Sequence, residues 1–249
     1  MVSDTGFSLL AIDAGNTRVK WGVQGAGAWR AAGSIDTAQS TALFESLRAH
    51  FPVDAAIASN VAGPQVLADL EAACRKGGVE LAVIRAEREE LGVTNSYRDP
   101  HQLGSDRWAA LIAAHASEDR GHKLVVNAGT ALTVDALTAG GEFLGGLIVP
   151  GPALMRRSLH RGTAELRLTE GVFEDFPATT PDAITSGAIQ ACLGAIERLA
   201  HAMATRGSPP GRIILSGGAA AQIAASLPLP VDFRENLVLD GLALIARKS

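Results

Sequence analysis

The sequence predicts an α/β protein of two similar lobes, each a mixed sheet flanked by helices, and two observations carry that reading. The first is a strand, a tight turn and a second strand at residues 8–23, SLLAIDAGNTRVKWGV, where an apolar run reaches Asp13, turns on Gly15 and resumes with alternating apolar residues. The second is that the pattern returns at residues 123–135, KLVVNAGTALTVD, with Asn127 in the place of Asp13, Ala128 and Gly129 in register, and alternating Leu132 and Val134. Each copy is followed by a later apolar strand that ends in a small polar turn, Ala55–Val61 in the first half and Ile213–Ala219 in the second. A duplication of this kind predicts two lobes, residues 1–118 and 119–249, facing a shared cleft.

The intervening elements follow from periodicity and punctuation. Trp29–Ser34 reads as a third strand, and Thr37–His50 as a helix with Ala42, Leu43 and Leu47 at helical spacing, ended by Pro52. The strand at 55–61 leads through Gly63 and Pro64 into a helix whose Val66, Leu67, Leu70 and Ala73 share a face and which Gly77 and Gly78 close. Glu80–Ile84 reads as a strand. Residues 87–107 break the periodicity and read as a functional loop, followed by an Ala-rich helix from Trp108 to His115 with Ser105 or Asp106 as candidate N-cap. In the second half, Gly140 and Gly141 close a hairpin between Thr133–Leu137 and Phe143–Val149, and a helix holding Leu154, Met155 and Leu159 follows. Glycines 145, 146 and 151 imply either sheet curvature and a tight turn or the passage of a ligand or partner chain. A long apolar helix is expected with Thr180 as N-cap and Pro181 as first helical residue, running to about Met203, and Leu237–Ala246 reads as a packed helix.

Composition narrows the function. The 249 residues are 47% hydrophobic, enough for a packed interior. A net charge of −4 with no Lys/Arg-rich block argues against nucleic acid as the main ligand, although a few cationic side chains suffice for a small anion. Cys74 and Cys192 are too few for a disulfide framework, lack metal-ligand spacing, and sit in Ala-rich helical contexts as buried thiols. No apolar run approaches the roughly 20 residues that span a membrane, and the opening segment has no basic region, so no membrane partner and a cytoplasmic location are expected.

The turn after Asp13 gathers backbone N–H groups, the Asn16 amide and the Thr17 hydroxyl around one small volume with a carboxylate at its lip. That suits a phosphate with a bound divalent cation, although Asp, Gly and Asn are also the residues of an ordinary hairpin. With two such loops, a nucleoside triphosphate would lie between them. The chain has no Gly-x-x-x-x-Gly-Lys-Ser/Thr loop, no Gly-x-Gly-x-x-Gly after a strand, no His-Glu-x-x-His and no Gly-x-Ser-x-Gly elbow, and its six histidines are scattered. What remains is phosphoryl transfer, which needs a held polyphosphate and a carboxylate to take a hydroxyl proton, and Asp106 is the candidate base.

Taken in order, Asp13-x-Gly-Asn-Thr17, Tyr97, Pro100, Gly104-x-Asp-Arg107, Gly129-Thr-Ala131, Gly145-Gly-x-Ile-x-Pro-Gly151, Thr180 and Ser186-Gly187 resemble type III pantothenate kinase. That family belongs to the superfamily of acetate and sugar kinases, Hsp70 and actin. The resemblance implies duplicated actin-like, ribonuclease H-like lobes and phosphorylation of the 4′-hydroxyl of pantothenate with ATP and Mg²⁺, the first step of coenzyme A biosynthesis. It places the ATP phosphates on Asp13, Ala14, Gly15, Asn16, Thr17, Arg18, Val19, Lys20 and Thr130, with Asp13 holding magnesium through water. It places pantothenate on Tyr97, Gly104, Ser105, Asp106, Arg107 and Thr180, with Asp106 as base, in a homodimer whose interface lies in the second half. Arg107 and the helix start at Thr180 supply positive potential for the substrate carboxylate.

One position departs from the pattern. The family commonly has an aspartate where this chain has Asn127, and that aspartate is associated with a monovalent cation, K⁺ or NH₄⁺. Asn127 keeps a carbonyl oxygen but brings no charge, which puts cation binding in doubt. Two alternatives remain open from the sequence: another small-molecule kinase of the superfamily, and a non-catalytic regulatory or accessory protein on the same fold.

Overall fold

The structure, a computed structural model, describes residues 7–40, 51–163 and 169–248. By contacts the chain divides into two units, residues 1–116 together with 236–249, and residues 117–235.

The first unit opens with the expected strand-turn-strand, β1 (Ser8–Ala14) and β2 (Arg18–Gly25), followed by β3 (Ala28–Asp36) and β4 (Ala55–Asn60). Helix α1 (Pro64–Lys76) leads to the short β5 (Leu81–Val83). These strands lie in the order β3-β2-β1-β4-β5, with β1 antiparallel to β2 and parallel to β4. β1 is buried on both faces, which explains its unbroken apolar run. Leu10 and Ile12 pack with Ala56, Ala58 and α1 residues Leu70 and Cys74. The alternate face carries Leu9, Ala11 and Ile57 and ends in Asp13 and Ser59.

Residues 87–107, expected as loop, contain a small hairpin, β6 (Glu89–Glu90) and β7 (Val93–Asn95), before helix α2 (Ser105–His115). Strands of two and three residues are too short to give a period in the sequence. Of the helix expected over 37–50, Thr37–Gln39 form a 3-10 turn, and Ala42, Leu43 and Leu47 lie outside the described residues.

The second unit repeats the first. β8 (Lys123–Ala128), β9 (Ala131–Leu137), β10 (Glu142–Pro150), β11 (Arg212–Ser216) and β12 (Val231–Phe233) lie in the order β12-β11-β8-β9-β10, and β8 is antiparallel to β9 and parallel to β11. Strand for strand this is the arrangement of the first unit. The registers agree to the residue: Asp13 is paired with Ser59 on β4, and Asn127, its counterpart, with Ser216 on β11. Helices α3 (Pro152–Gly162), α4 (Thr180–Thr205) and α5 (Ala220–Ala224) complete the unit, and Ile189, Cys192, Leu193 and Ile196 of α4 close its core against Leu124, Val126, Leu132 and Val134.

The last helix, α6 (Leu237–Lys248), corrects the expected division of the chain. It belongs to the first unit, not to the second half from which it issues. Gly241 lets it press onto α2, since a Cβ there would collide with the Ala109 carbonyl. Its outer side is tied to the β2–β3 hairpin: Trp29 Nε1 donates to Asp240 at 2.8 Å, and Arg247 donates to Gln24 at 3.0 Å. Within the described residues no helix is long and apolar enough to cross a membrane.

Candidate active site

Asp13 stands one residue from the end of β1, half-buried, with Lys20 as its cross-strand partner on β2. The turn that follows is closed by its own backbone, Gly15 N donating to Arg18 O at 3.0 Å, and Thr37 braces it by donating from Oγ1 to Gly15 O at 2.7 Å. Asn16, Thr17 and Arg18 are exposed at its tip, and Arg18 donates to Ser34 Oγ at 2.8 Å. The sequence therefore placed the loop correctly.

Helix α2 brings the second carboxylate to the same neighbourhood. Its N-cap residue is Gly104, with no side-chain cap, so neither Ser105 nor Asp106 has the capping role that the sequence offered. Asp106 instead lies in the first turn and accepts from Arg107 N at 2.8 Å. Its carboxylate folds back over Gly104, where a Cβ would stand only 2.6 Å from Asp106 Oδ1. Burial raises the Asp106 pKa above the ordinary carboxylate range, opposed by the Arg107 N–H and guanidinium. Burial likewise lifts Asp13, with the Asp106 charge adding to it and Lys20 opposing, to about 7. The two carboxylates are thus close enough to feel one another, with Lys20 and Arg107 as the opposing positive charges.

Beside them, Arg107 is buried, donates to Tyr97 Oη at 3.2 Å and stacks over the Tyr97 ring at 5.9 Å. The loop that presents Tyr97 is held by residues that motif reading passed over. Arg88 donates to the carbonyls of Asn95, Tyr97 and Arg98 at 2.7–3.1 Å. Asn95, fully buried, donates to Pro100 O and accepts from Tyr97 N. Ser59 is the other residue missed: its buried hydroxyl lies 2.8 Å from Ser105 Oγ, so the Ser105 side chain is engaged inside the protein. Arg88 left no pattern in the sequence, whereas Ser59 sat in a polar strand end that was visible but unassigned.

In the second unit, Asn127 is half-buried near the end of β8, and Thr130 is exposed in the turn to β9. Gly151 packs on that turn so closely that a Cβ would collide with Gly129 O, which favours the structural reading of this glycine over passage of a ligand. The N-cap of α4 is Thr179, one residue before the expected Thr180: Thr179 Oγ1 accepts from Asp182 N at 3.3 Å, and Pro181 becomes the second helical residue. Thr180 is exposed in the first turn.

The profile of the type III pantothenate kinase family matches residues 9–202. This chain belongs to that family. It is similar to the type III pantothenate kinase of Aromatoleum aromaticum, 48% identical over 96% of this chain and 98% of the relative, and to that of Nitrosospira multiformis, 46% identical over 97% and 92%. Among solved structures it resembles a conserved putative Baf family transcriptional activator from Campylobacter jejuni, with a TM-score of 0.63, 19% identity, and 96% and 98% of the two chains covered. It also resembles a putative 2-dehydro-3-deoxygalactonokinase from Sinorhizobium meliloti, with a TM-score of 0.63, 17% identity and the same coverage. These neighbours support the duplicated α/β fold with mixed sheets that the sequence predicted. The Asp13 turn, the Tyr97 loop and the Gly104–Arg107 segment all belong to the first unit.

Proposed function

We propose that the protein phosphorylates the 4′-hydroxyl of pantothenate with ATP and Mg²⁺, the first step towards coenzyme A. Family membership supplies the reaction, and the observation that carries it onto these residues is the approach of Asp106 to Asp13 beside a buried arginine. A half-buried carboxylate raised to about 7 by burial and a like charge fits a divalent cation that is shared with polyphosphate oxygens. Among the described residues no cluster of three or more His, Cys, Asp or Glu could hold a metal without such help.

In this reading Ala14, Gly15, Asn16, Thr17, Arg18 and Val19 cradle the ATP phosphates through backbone and side-chain donors, Lys20 adds positive charge, and Asp13 holds magnesium through water. Held there, the cation would offset the charge of the transferring phosphoryl group. Asp106 accepts the hydroxyl proton as that oxygen attacks, and its raised pKa makes it the better base once substrate has excluded water. Arg107, oriented by Tyr97, receives the pantothenate carboxylate, with Gly104 leaving room for Asp106. Thr130 is proposed to contact ATP, and Thr180 pantothenate. Asn127 offers a carbonyl oxygen to a monovalent cation without a charge to attract it.

We further propose a cytoplasmic homodimer. Phe176, Ile148 and Val172 of the second unit are 93%, 63% and 62% exposed and are apolar side chains that a partner copy could cover. Replacing Asp106 by Asn tests the catalytic reading: the variant keeps the volume and the acceptor for Arg107 N but cannot take a proton. A folded Asp106→Asn protein that turned over at the native rate would exclude Asp106 as base.

A further inference from the structure

Ser59 and Ser105 bear on how the two carboxylates are kept at a working separation, an inference that rests on the roles proposed for Asp13 and Asp106. Ser59 is paired in register with Asp13, so both side chains leave the same face of the sheet, and Lys20 continues the row on β2. Ser59 is fully buried and Ser105 nearly so, and their hydroxyls share a hydrogen bond of 2.8 Å. Ser105 is the first residue of α2 and the immediate neighbour of Asp106. The strand position beside Asp13 is thus bonded to the helix position beside Asp106.

We propose that the Ser59–Ser105 hydrogen bond is a positioning tether that sets the distance from the base to the cation-holding carboxylate. The two hydroxyls are engaged with each other, and in this role each acts through its neighbour. Both hydroxyls are out of water, so loss of either leaves the other without the partner seen here. Freed from the strand, the first turn of α2 can shift by a fraction of an ångström while the rest of the helix stays fixed by Trp108, Leu111 and Ile112, all of them fully or almost fully buried. Because Asp106 sits in that first turn, the shift falls on the proton-accepting oxygen and spares the ATP turn at 15–18, which its own backbone and Thr37 hold. The expected signature is a loss in kcat with little change in KM. Misplacement of a reacting group by about 1 Å costs on the order of 10²-fold, so a partial shift corresponds to a loss of about 10- to 50-fold.

A double-mutant cycle with the base tests the tether. Purified full-length Ser59→Ala, Ser105→Ala, Asp106→Asn and the combination of Ser59→Ala with Asp106→Asn are assayed for pantothenate-dependent ADP release, with folding checked by circular dichroism. The tether predicts kcat down about 10- to 50-fold in either serine variant, KM for ATP and pantothenate within about threefold of native, and recovery of kcat in Ser105→Thr, which restores the hydroxyl. It also predicts that Ser59→Ala causes no further loss once Asp106 is Asn, because its effect passes through the base. Native kcat in folded Ser59→Ala and Ser105→Ala, or an equal additional loss in the Asp106→Asn background, overturns the tether. Should Asp106→Asn itself be fully active, the proposed role of Asp106 fails instead, and the two failures are distinguished. If Ser59→Ala does not fold, Ser105→Ala and Ser105→Thr decide by the same criteria.

Discussion

Replacing Gly104 by Ala displaces the proposed base without altering its chemistry. Gly104 has φ −55° and ψ 136°, values open to any residue, so alanine meets no backbone penalty there. The new methyl would stand 2.6 Å from Asp106 Oδ1, and relieving it to the 3.4 Å of ordinary contact requires a shift of about 0.8 Å. That shift also strains the 2.8 Å bond from Arg107 N. On the scale of about 10²-fold for a 1 Å misplacement, kcat should fall by about 30- to 100-fold, or about 2–2.7 kcal/mol of transition-state stabilisation. The loss of melting temperature should be small, since the contact lies in the first turn of α2 and not in its buried body. Steady-state ADP release at saturating ATP and pantothenate reads the effect directly. A folded Gly104→Ala protein with kcat within threefold of native would show that Asp106 tolerates displacement and would refute the argument from its position.

Three further outcomes follow from other features. Because the Asp13 pKa is about 7 in the folded protein against 3.8 for the free side chain, the native state holds a proton that the unfolded chain has lost; stability without Mg²⁺ and nucleotide should fall as pH rises from about 4 through 7. The same thermal melts on Asp13→Asn should lose that component, and an identical pH profile would contradict the raised pKa. Asn127→Asp should introduce or sharpen activation by K⁺ or NH₄⁺ over Na⁺ at equal ionic strength, whereas strong K⁺ activation of the native protein would show that charge at this position does not recruit the ion. Light scattering should give twice the monomer mass at micromolar concentration, and a fully active monomer would end the dimer proposal.

The parts of the fold legible in the sequence were those where a repeated physical constraint leaves a repeated pattern. β1 and β8 are buried on both faces and must turn within three residues, so the apolar run followed by Asp-Ala-Gly or Asn-Ala-Gly marks the turn in both halves. α6 was assigned to the wrong unit because an amphipathic helix specifies what its face must meet, not which sheet supplies it; the deciding contacts, Gly241 on Ala109 and Trp29 to Asp240, join residues far apart in the chain. The same limit hid the supports of the site. Asp13, Asp106 and Arg107 stand out because their chemistry is uncommon in such a pattern, whereas Ser59 acts through one hydrogen bond to a distant helix and Arg88 through three to the carbonyls of the Tyr97 loop, partners that no spacing rule connects. The N-caps at Gly104 and Thr179 each lie next to the residues expected, a displacement that cap preferences alone cannot resolve when Ser, Thr and Asp stand side by side.

The central claim is that this chain transfers phosphate to pantothenate, and product-resolved turnover tests it most directly. Purified protein with ATP and Mg²⁺ is assayed with and without pantothenate, and ADP and phosphorylated product are measured together by mass spectrometry. The account predicts that pantothenate raises ADP release well above background, that one 4′-phosphopantothenate forms per ADP, and that removing Mg²⁺ abolishes both. ADP release that pantothenate does not stimulate, or a faster reaction with a sugar from a panel of hydroxylated acceptors, would contradict it.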